Sequence, residues 1–433
     1  MEVISVREYS AFCVGKKNND IFNGCHTLTK STFEMLESFL LENKRDGEND
    51  TFEIMGLSTR RGVGKVITVK NYVGIISLKD GTTIEILPKI YSENEDNKEN
   101  ARSLLVKMLN TLYNVSSKSL QTASLDVCKM NLLEAFIRMF IDEVTRLTKQ
   151  GLKSTYETLE DDLTCLKGKI IFSKHLLRNF AHKERVYSAY DEFTVNRAEN
   201  KLLKSTLSYL FSKTRSSRNK KDIKNLLSLF DNVEPSSNYD ADFDKIVADR
   251  NTKSYTTALN WARVFLKKKS FTSFSGSTVS IALLFPMEKL FECYVPALIR
   301  GLLSSQSVTL STQDKRYHLF DEPKRFLLNP DIVLTANDKI FIMDTKWKRL
   351  NNDKGNNYGI SQSDTYQMYT YFQKYNVAKS VHSVTLLYPK SPDLSDKIGF
   401  IDKTTGAKIN VRFIDMLNDK ESLKQIFKEY EIL

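Results

Sequence analysis

Apolar residues in "TLTKSTFEMLESFLLEN" (27–43) recur at three- and four-residue steps, with Phe33, Leu36, Phe39 and Leu40 on one face, which predicts an amphipathic helix. The rhythm then changes. "GKVITVKNYVGIISLKDGTTIEILPKI" (64–90) consists of β-branched runs punctuated by glycine, and Asp80-Gly81 between two of them predicts a hairpin. Pro88 ends the run, and the polar, acidic "YSENEDNKEN" (91–100) marks a boundary. Helical periodicity returns across 101–150, where Gly151 is placed to cap the last turn. "LKGKIIFSKHLLRN" predicts a short strand before a helix. "ENKLLKSTLSYLFS" and "KKDIKNLLSLFDNV" predict two helices joined by a basic stretch, and the polar "EPSSNYDADFD" (234–244) separates them from the C-terminal part of the chain.

From about residue 255 helices and strands mix at short spacing. A helix is expected over 286–300, strands over 326–334 and 339–347, a helix over 362–375, a strand over 381–388 and a strand-helix pair over 409–430. The expected fold class is α+β multidomain: a mostly β domain over 1–97, a mainly helical middle region over 98–250, and a C-terminal α/β domain with a mixed sheet over 251–433.

The length of 433 residues accommodates two to four domains, and 41% apolar residues exclude a disordered chain. The formal charge of +11 is compatible with an anionic partner and proves none. Basic residues gather at Lys213, Arg215, Arg218, Lys220, Lys221 and Lys224, and again at Lys267, Lys268 and Lys269; either run can hold DNA phosphates or be a solvated surface. The N-terminus lacks a secretory pattern and no stretch is long and apolar enough to span a membrane, so a cytoplasmic location is expected. Five scattered cysteines form no C-x-x-C pair, and the histidines offer no zinc pattern.

The candidate chemistry lies in "NPDIVLTANDKIFIMDTKWKRL" (329–350). If Asn337-Asp338 is a two-residue hairpin turn, Ala336 faces Lys339, Leu334 faces Phe341, Ile332 faces Met343 and Asp331 faces Asp344. Opposed residues have Cβ atoms roughly 4.5–5.5 Å apart. Two carboxylates at that spacing repel unless a proton or a cation lies between them, and a divalent, oxygen-preferring metal answers the conflict. Lys346 lies two places beyond Asp344 and so on the same strand face, about 6–7 Å along it, with Thr345 turned the other way. There its ammonium can act on an attacking water or on phosphate charge. A salt-bridged structural hairpin accounts for the same residues.

Two flanking helices add candidates. In "FPMEKLFECYVPALIR" Glu292 lies at the margin of the apolar stripe and is preferred as a further metal ligand over Glu288, a helix-start residue facing solvent. In "ISQSDTYQMYTYFQKY" Ser361 and Asp364 are spaced as a capping box, and Gln367 is placed to bond a phosphate, a water or the lysine.

With these residues laid out, the chain resembles the McrC family, the nuclease subunits of McrBC-type restriction systems. "MEKLFECYV", "LNPDIVL", "FIMDTKWKRL" and "SDTYQMYTYF" stand where that family has its PD-(D/E)xK elements. "IEILPKI" with Glu85, Pro88 and Lys89, "LLVKMLNTLYNV", "LKGKIIFSKHLLRN" and the Asn196-Arg197 pair extend the resemblance over nearly the whole length. It implies that Asp331 and Asp344, with Glu292, hold Mg2+ (or Mn2+), that Lys346 serves the water or the transition state, and that Gln367 supports the site. It implies a GTP-driven complex in which this subunit cuts double-stranded DNA, and a partner, a McrB-type AAA+ GTPase hexamer contacted by the N-terminal β domain, binds the GTP. "RRGVGKV" (60–66) lacks the spacing of a phosphate-binding loop and joins strands, so no nucleotide site is expected in this chain. The alternatives are a free-standing repair or recombination nuclease, an RNA-directed nuclease, and a non-catalytic adaptor that activates the GTPase.

Overall fold

The computed structural model describes residues 2–42, 54–90, 98–112, 131–246, 254–266, 273–274, 278–303, 308–336, 338–377, 380–391, 394 and 397–432. The chain forms two compact units, one of residues 1–132 with 271–433 and one of residues 133–270.

The first unit opens with β1 (Val3–Arg7), β2 (Ala11–Val14), β3 (Ile21–Phe22), β4 (Cys25–Leu28) and α1 (Lys30–Glu42). There follow β5 (Met55–Arg60), β6 (Gly64–Val69), β7 (Tyr72–Leu78), β8 (Thr83–Leu87) and α2 (Lys98–Leu112). β3-β4-β2-β6-β5 make one sheet. The stripe expected on α1 is the buried one: Phe33, Leu36, Phe39 and Leu40 share a core with Ile4, Ile67 and Ile84. The β7–β8 hairpin turns at Asp80-Gly81, where Gly81 takes φ 93°, and "RRGVGKV" is the β5–β6 turn. Glu85 is fully buried on β8, and Arg102 of α2 donates to it at 2.5 Å. The Ser5 hydroxyl and the Leu132 amide also donate to Glu85, which satisfies a charge that burial would otherwise penalise.

The second unit carries most of α3 (Leu132–Thr148), then β9 (Thr155–Leu163), β10 (Lys169–Ile170), α4 (Phe172–Arg178) and β11 (Val186–Thr194). After these come α5 (Ala198–Lys213), α6 (Ser217–Leu229), α7 (Tyr239–Asp244) and α8 (Thr256–Leu266). Phe136 and Phe140 of α3 meet Trp261 and Phe265 of α8 in an aromatic core. The polar stretch 234–244, expected as a separator, contains α7, because Asn238 caps it by accepting from the Ala241 amide. Asn196 and Arg197 hold this unit together: Asn196 Oδ1 accepts from the Glu234 amide, and Arg197 pairs with buried Glu199 at 2.9 Å.

The chain returns to the first unit with β12 (Ser273–Phe274), β13 (Val279–Pro286), α9 (Met287–Leu302) and β14 (Val308–Thr312). β15 (His318–Asp321), β16 (Lys324–Leu327), β17 (Ile332–Ala336), β18 (Lys339–Thr345) and α10 (Gln362–Asn376) come next. β19 (Val381–Pro389), β20 (Ile398–Ile401), β21 (Lys408–Ile414) and α11 (Asp419–Glu429) complete it. β12 and β13 extend the N-terminal strands into the sheet β1-β8-β7-β13-β12. The second large sheet, β14-β17-β18-β19-β21-β20, is mixed: β17 and β18 are antiparallel, while β18–β19 and β19–β21 are parallel. The single strand expected over 326–334 is two, because Pro330 has no amide to donate and β16 pairs with β15 in a separate hairpin. The architecture is therefore mixed α/β and multidomain. Among the described residues no helix is long and apolar enough to cross a membrane, and Cys13, Cys25, Cys165 and Cys293 are free thiols.

Candidate active site

The β17–β18 hairpin has the register that a two-residue turn dictates: Ala336 opposite Lys339, Leu334 opposite Phe341, Ile332 opposite Met343. Asn337 lies outside the described residues, and Asp338 takes φ 59° as such a turn requires. Asp331 stands one place before β17 and Asp344 one place before the end of β18. Both are buried, 8% and 2% exposed. One expectation fails here. Thr345 does not turn away from the acids; its amide and hydroxyl both donate to Asp331 Oδ2, at 2.8 and 2.7 Å. Asp331 lies off the end of β17, where the antiparallel ladder has stopped, while Thr345 is still paired with β19, so alternation along β18 does not keep the two apart.

Lys346 continues β18 by donating its amide to the Leu387 carbonyl at 2.9 Å. Its Nζ lies 2.5 Å from Asp344 Oδ2 and donates to Gln367 Oε1 at 3.4 Å. Gln367, on α10, donates in turn to the Tyr371 hydroxyl at 2.8 Å. Ser361 does precede α10, but its hydroxyl meets Ser363 and caps no backbone amide. Asp364 is thereby released from the capping role, and its charge acts on both Lys346 and Asp344.

Glu292 reaches the same place from α9, whereas Glu288 accepts from Asn71. The link is Gln313, just after β14, whose Nε2 donates to Glu292 Oε1 at 2.5 Å and to Asp331 Oδ1 at 2.9 Å. Asn329 Nδ2 donates to Gln313 Oε1, and the Gln313 backbone amide donates to the Asp331 backbone carbonyl at 3.0 Å. Lys289 pairs with Glu292 at 2.9 Å. Sequence reasoning missed Gln313, Asp364, Thr345 and Tyr371 as members of this cluster. Asp364 and Tyr371 carried a signal, their three- and four-residue spacings from Gln367 on one helix.

The electrostatics are set by burial. Burial and the neighbouring Asp331 push the Asp344 carboxyl up to about 7, against the pull of Lys346. Burial also raises Asp331, opposed by the Thr345 donors and reinforced by Glu292. Burial disfavours the charged form of Lys346, but Asp344, Asp364 and Asp331 outweigh it and the lysine is raised. The site thus sets four carboxylates (Asp331, Asp344, Glu292, Asp364) against two ammonium groups (Lys346, Lys289). An excess of negative charge on oxygen-only donors fits a hard divalent cation. Among the described residues, however, no three His, Cys, Asp or Glu side chains converge as a metal-ligand group; the Gln313 amide stands between Glu292 and Asp331. Lys220 and Lys221, the DNA-binding candidates on α6, are exposed in the other unit. Lys267, Lys268 and Lys269 lie outside the described residues.

The family described as "McrBC 5-methylcytosine restriction system component" matches residues 67–389. A chain in the refined half-complex from the tetradecameric assembly of Thermococcus gammatolerans McrB AAA+ hexamers with bound McrC superposes with a TM-score of 0.67 at 18% identity, over 98% of this chain and 100% of that one. A chain in the cryo-EM structure of the T. gammatolerans McrBC complex gives 0.50 at 17% identity, over 70% and 89%. At that identity the likeness is one of fold. A comparison with curated proteins gave no match. The family match runs from β6 through β19 and so takes in both the β7–β8 hairpin and every residue of the candidate site: the chain belongs to the McrBC 5-methylcytosine restriction system component family.

Proposed function

We propose that this chain is the McrC-type nuclease subunit of its restriction system, a Mg2+-dependent endonuclease of the PD-(D/E)xK type that cuts double-stranded DNA. The observation that carries the reading is the Lys346 ammonium held between Asp344 and Gln367, beside Asp331 at a strand end. A strand-end lysine in contact with a buried carboxylate is placed to orient a water or to meet charge that develops on a phosphate. Gln367 and Tyr371 fix its direction. Thr345 and Gln313 fix the Asp331 carboxylate through both oxygens. Asp331, Asp344 and Glu292 are the residues that would hold Mg2+, or Mn2+ in its place. When bound, the ion supplies a more acidic water and neutralises phosphate charge.

The same reading gives the chain a partner, a McrB-type AAA+ GTPase that binds the GTP and whose turnover this subunit stimulates. The fold likeness to a chain found with McrB AAA+ hexamers supports it. Separately, the second unit exposes Phe172, Leu176, Leu177 and Phe180 at 63–84%. Bare apolar clusters of that kind mark protein interfaces.

Reconstitution tests the proposal. The chain and the GTPase from its own system are mixed with methylated and unmethylated plasmid, GTP and Mg2+, beside Asp344→Ala. Cutting by the wild type alone, dependent on partner and GTP, is the expected result. Equal GTP turnover by both chains with all DNA intact would make the chain a non-catalytic activator. Cleavage without the partner would make it a free-standing nuclease.

A further inference from the structure

We propose that Glu8, just beyond β1, is a positioning residue for the candidate site, holding the Trp347 indole and through it the strand end that carries Lys346. The inference rests on the nuclease reading above. Glu8 is 2% exposed. Trp347 Nε1 donates to both of its oxygens, at 3.0 and 3.1 Å, and the Lys89 amide donates to Oε1 at 2.8 Å. The Glu8 amide donates to the Leu87 carbonyl, so its backbone is tied to β8 as well. On the other side, Trp347 directly follows Lys346. Its ring meets Phe291 edge-on, with centroids 5.3 Å apart, and Phe291 directly precedes Glu292. One indole therefore touches the α9 turn that presents the acid and continues the strand that presents the lysine, and one carboxylate of the N-terminal sheet fixes it.

Packing alone does not call for a carboxylate here. Burial pushes Glu8 up to about 7, with the Lys89 amide, Trp347 and the charges of Lys89 and Arg7 opposing. An apolar side chain would avoid that desolvation; what it could not do is accept the indole N–H. A cavity of about 280 Å³ beside the pair, lined by Tyr9, Lys89, Lys348 and Pro389 among others, leaves the ring room to turn once its acceptor is gone.

The test uses the full chain with its GTPase partner. Glu8→Ala is expected to lower kcat for DNA cleavage about 10- to 100-fold with KM little changed, since a displacement of about 1 Å is enough for such a loss. Glu8→Gln keeps an oxygen that accepts the N–H and should restore most of the rate. The chain has two tryptophans, so the emission of Trp347 is obtained by subtracting the spectrum of Trp347→Phe. It should shift to the red in Glu8→Ala and hold in Glu8→Gln. Equal loss in both Glu8 variants, an unchanged kcat in Glu8→Ala, or a rise in KM alone would overturn the proposal. Should Glu8→Ala fail to fold, Trp347→Phe decides: it keeps an aromatic ring on Phe291, removes the indole N–H together with the five-membered part of the ring, and must show the fall in kcat with KM little changed. If the wild-type complex cut no DNA, the nuclease reading would fall separately. The hold on the indole would then stand or fall on whether the emission moves in Glu8→Ala and not in Glu8→Gln.

Discussion

Asp344 is a carboxyl whose folded-state pKa, about 7, lies above its ordinary 3.8. Between those values the folded chain binds more protons than the unfolded one, so stability falls as pH rises through that window and stays low above it. The shift corresponds to about 2–4 kcal/mol at most, shared with the coupled Asp331. Glu8 titrates with the same sign, so the contrast that isolates Asp344 is wild type against Asp344→Asn. Without divalent metal, the melting temperature of the wild type should drop more between pH 5 and pH 8 than that of the variant. Mg2+ should then raise the wild-type melting temperature by about 2 °C or more at pH 8, where the carboxyl is charged, and hardly at pH 5. Asp344→Asn should lose most of that pH-dependent gain. Equal pH profiles for the two proteins, or the same Mg2+ effect at both pH values, would remove the carboxyl cluster as the metal-responsive group.

The elements around the site depend on strand pairings of very different reach. β17 and β18 pair across a two-residue turn, so their register is dictated by local residue types and the bond count alone. β13 pairs with β7 from about 200 residues away, and nothing in either strand announces the other. Gly74 tests that pairing. It takes φ 139°, and a Cβ there would meet the Leu283 carbonyl oxygen of β13 at 1.9 Å. Gly74→Ala should cost about 3 kcal/mol in urea unfolding, from strain and forced separation of the strands. Gly81→Ala, also at positive φ but in open space, should cost about 1 kcal/mol. Equal losses would mean that β13 does not press on β7. The same contrast explains which site residues the sequence revealed. The structure gathers Asp331, Asp344, Lys346, Gln367 and Glu292, which the sequence singled out because each lies on or next to a periodic element with its neighbours a known number of residues away. Gln313 was not, because it comes after a strand in an irregular turn at φ 50° and meets Asp331 only through tertiary packing. Thr345 was expected to turn away by alternation, yet it reaches Asp331 because that residue lies off the end of β17; Asp364 was expected on the Gln367 side of its helix, but its pull on Lys346 and Asp344 arises only from tertiary packing.

At the scale of the whole molecule the net charge of +11 has to be located before it says anything about DNA. Part of it is neutralised locally: Arg102 by Glu85, Arg138 by Asp142 and Asp222, Arg412 by Glu429. The run on α6 is different. Arg218, Lys220, Lys221 and Lys224 are all exposed, and Arg218 and Lys220 lie in the first turn, at the positive end of the helix dipole. Cations there repel the helix terminus and one another, an arrangement that a polyanion relieves. Replacing Lys220 and Lys221 together by alanine should therefore weaken DNA binding at every sequence alike. It should also flatten the dependence of log K on log salt by about 0.9 for each phosphate no longer neutralised, close to two if both lysines touch the backbone. The cleavage rate of DNA already bound, governed by the carboxylate and lysine cluster, should be unaltered. An unchanged salt slope with intact folding would assign the α6 charges to solvent and leave the phosphates to residues of the other unit.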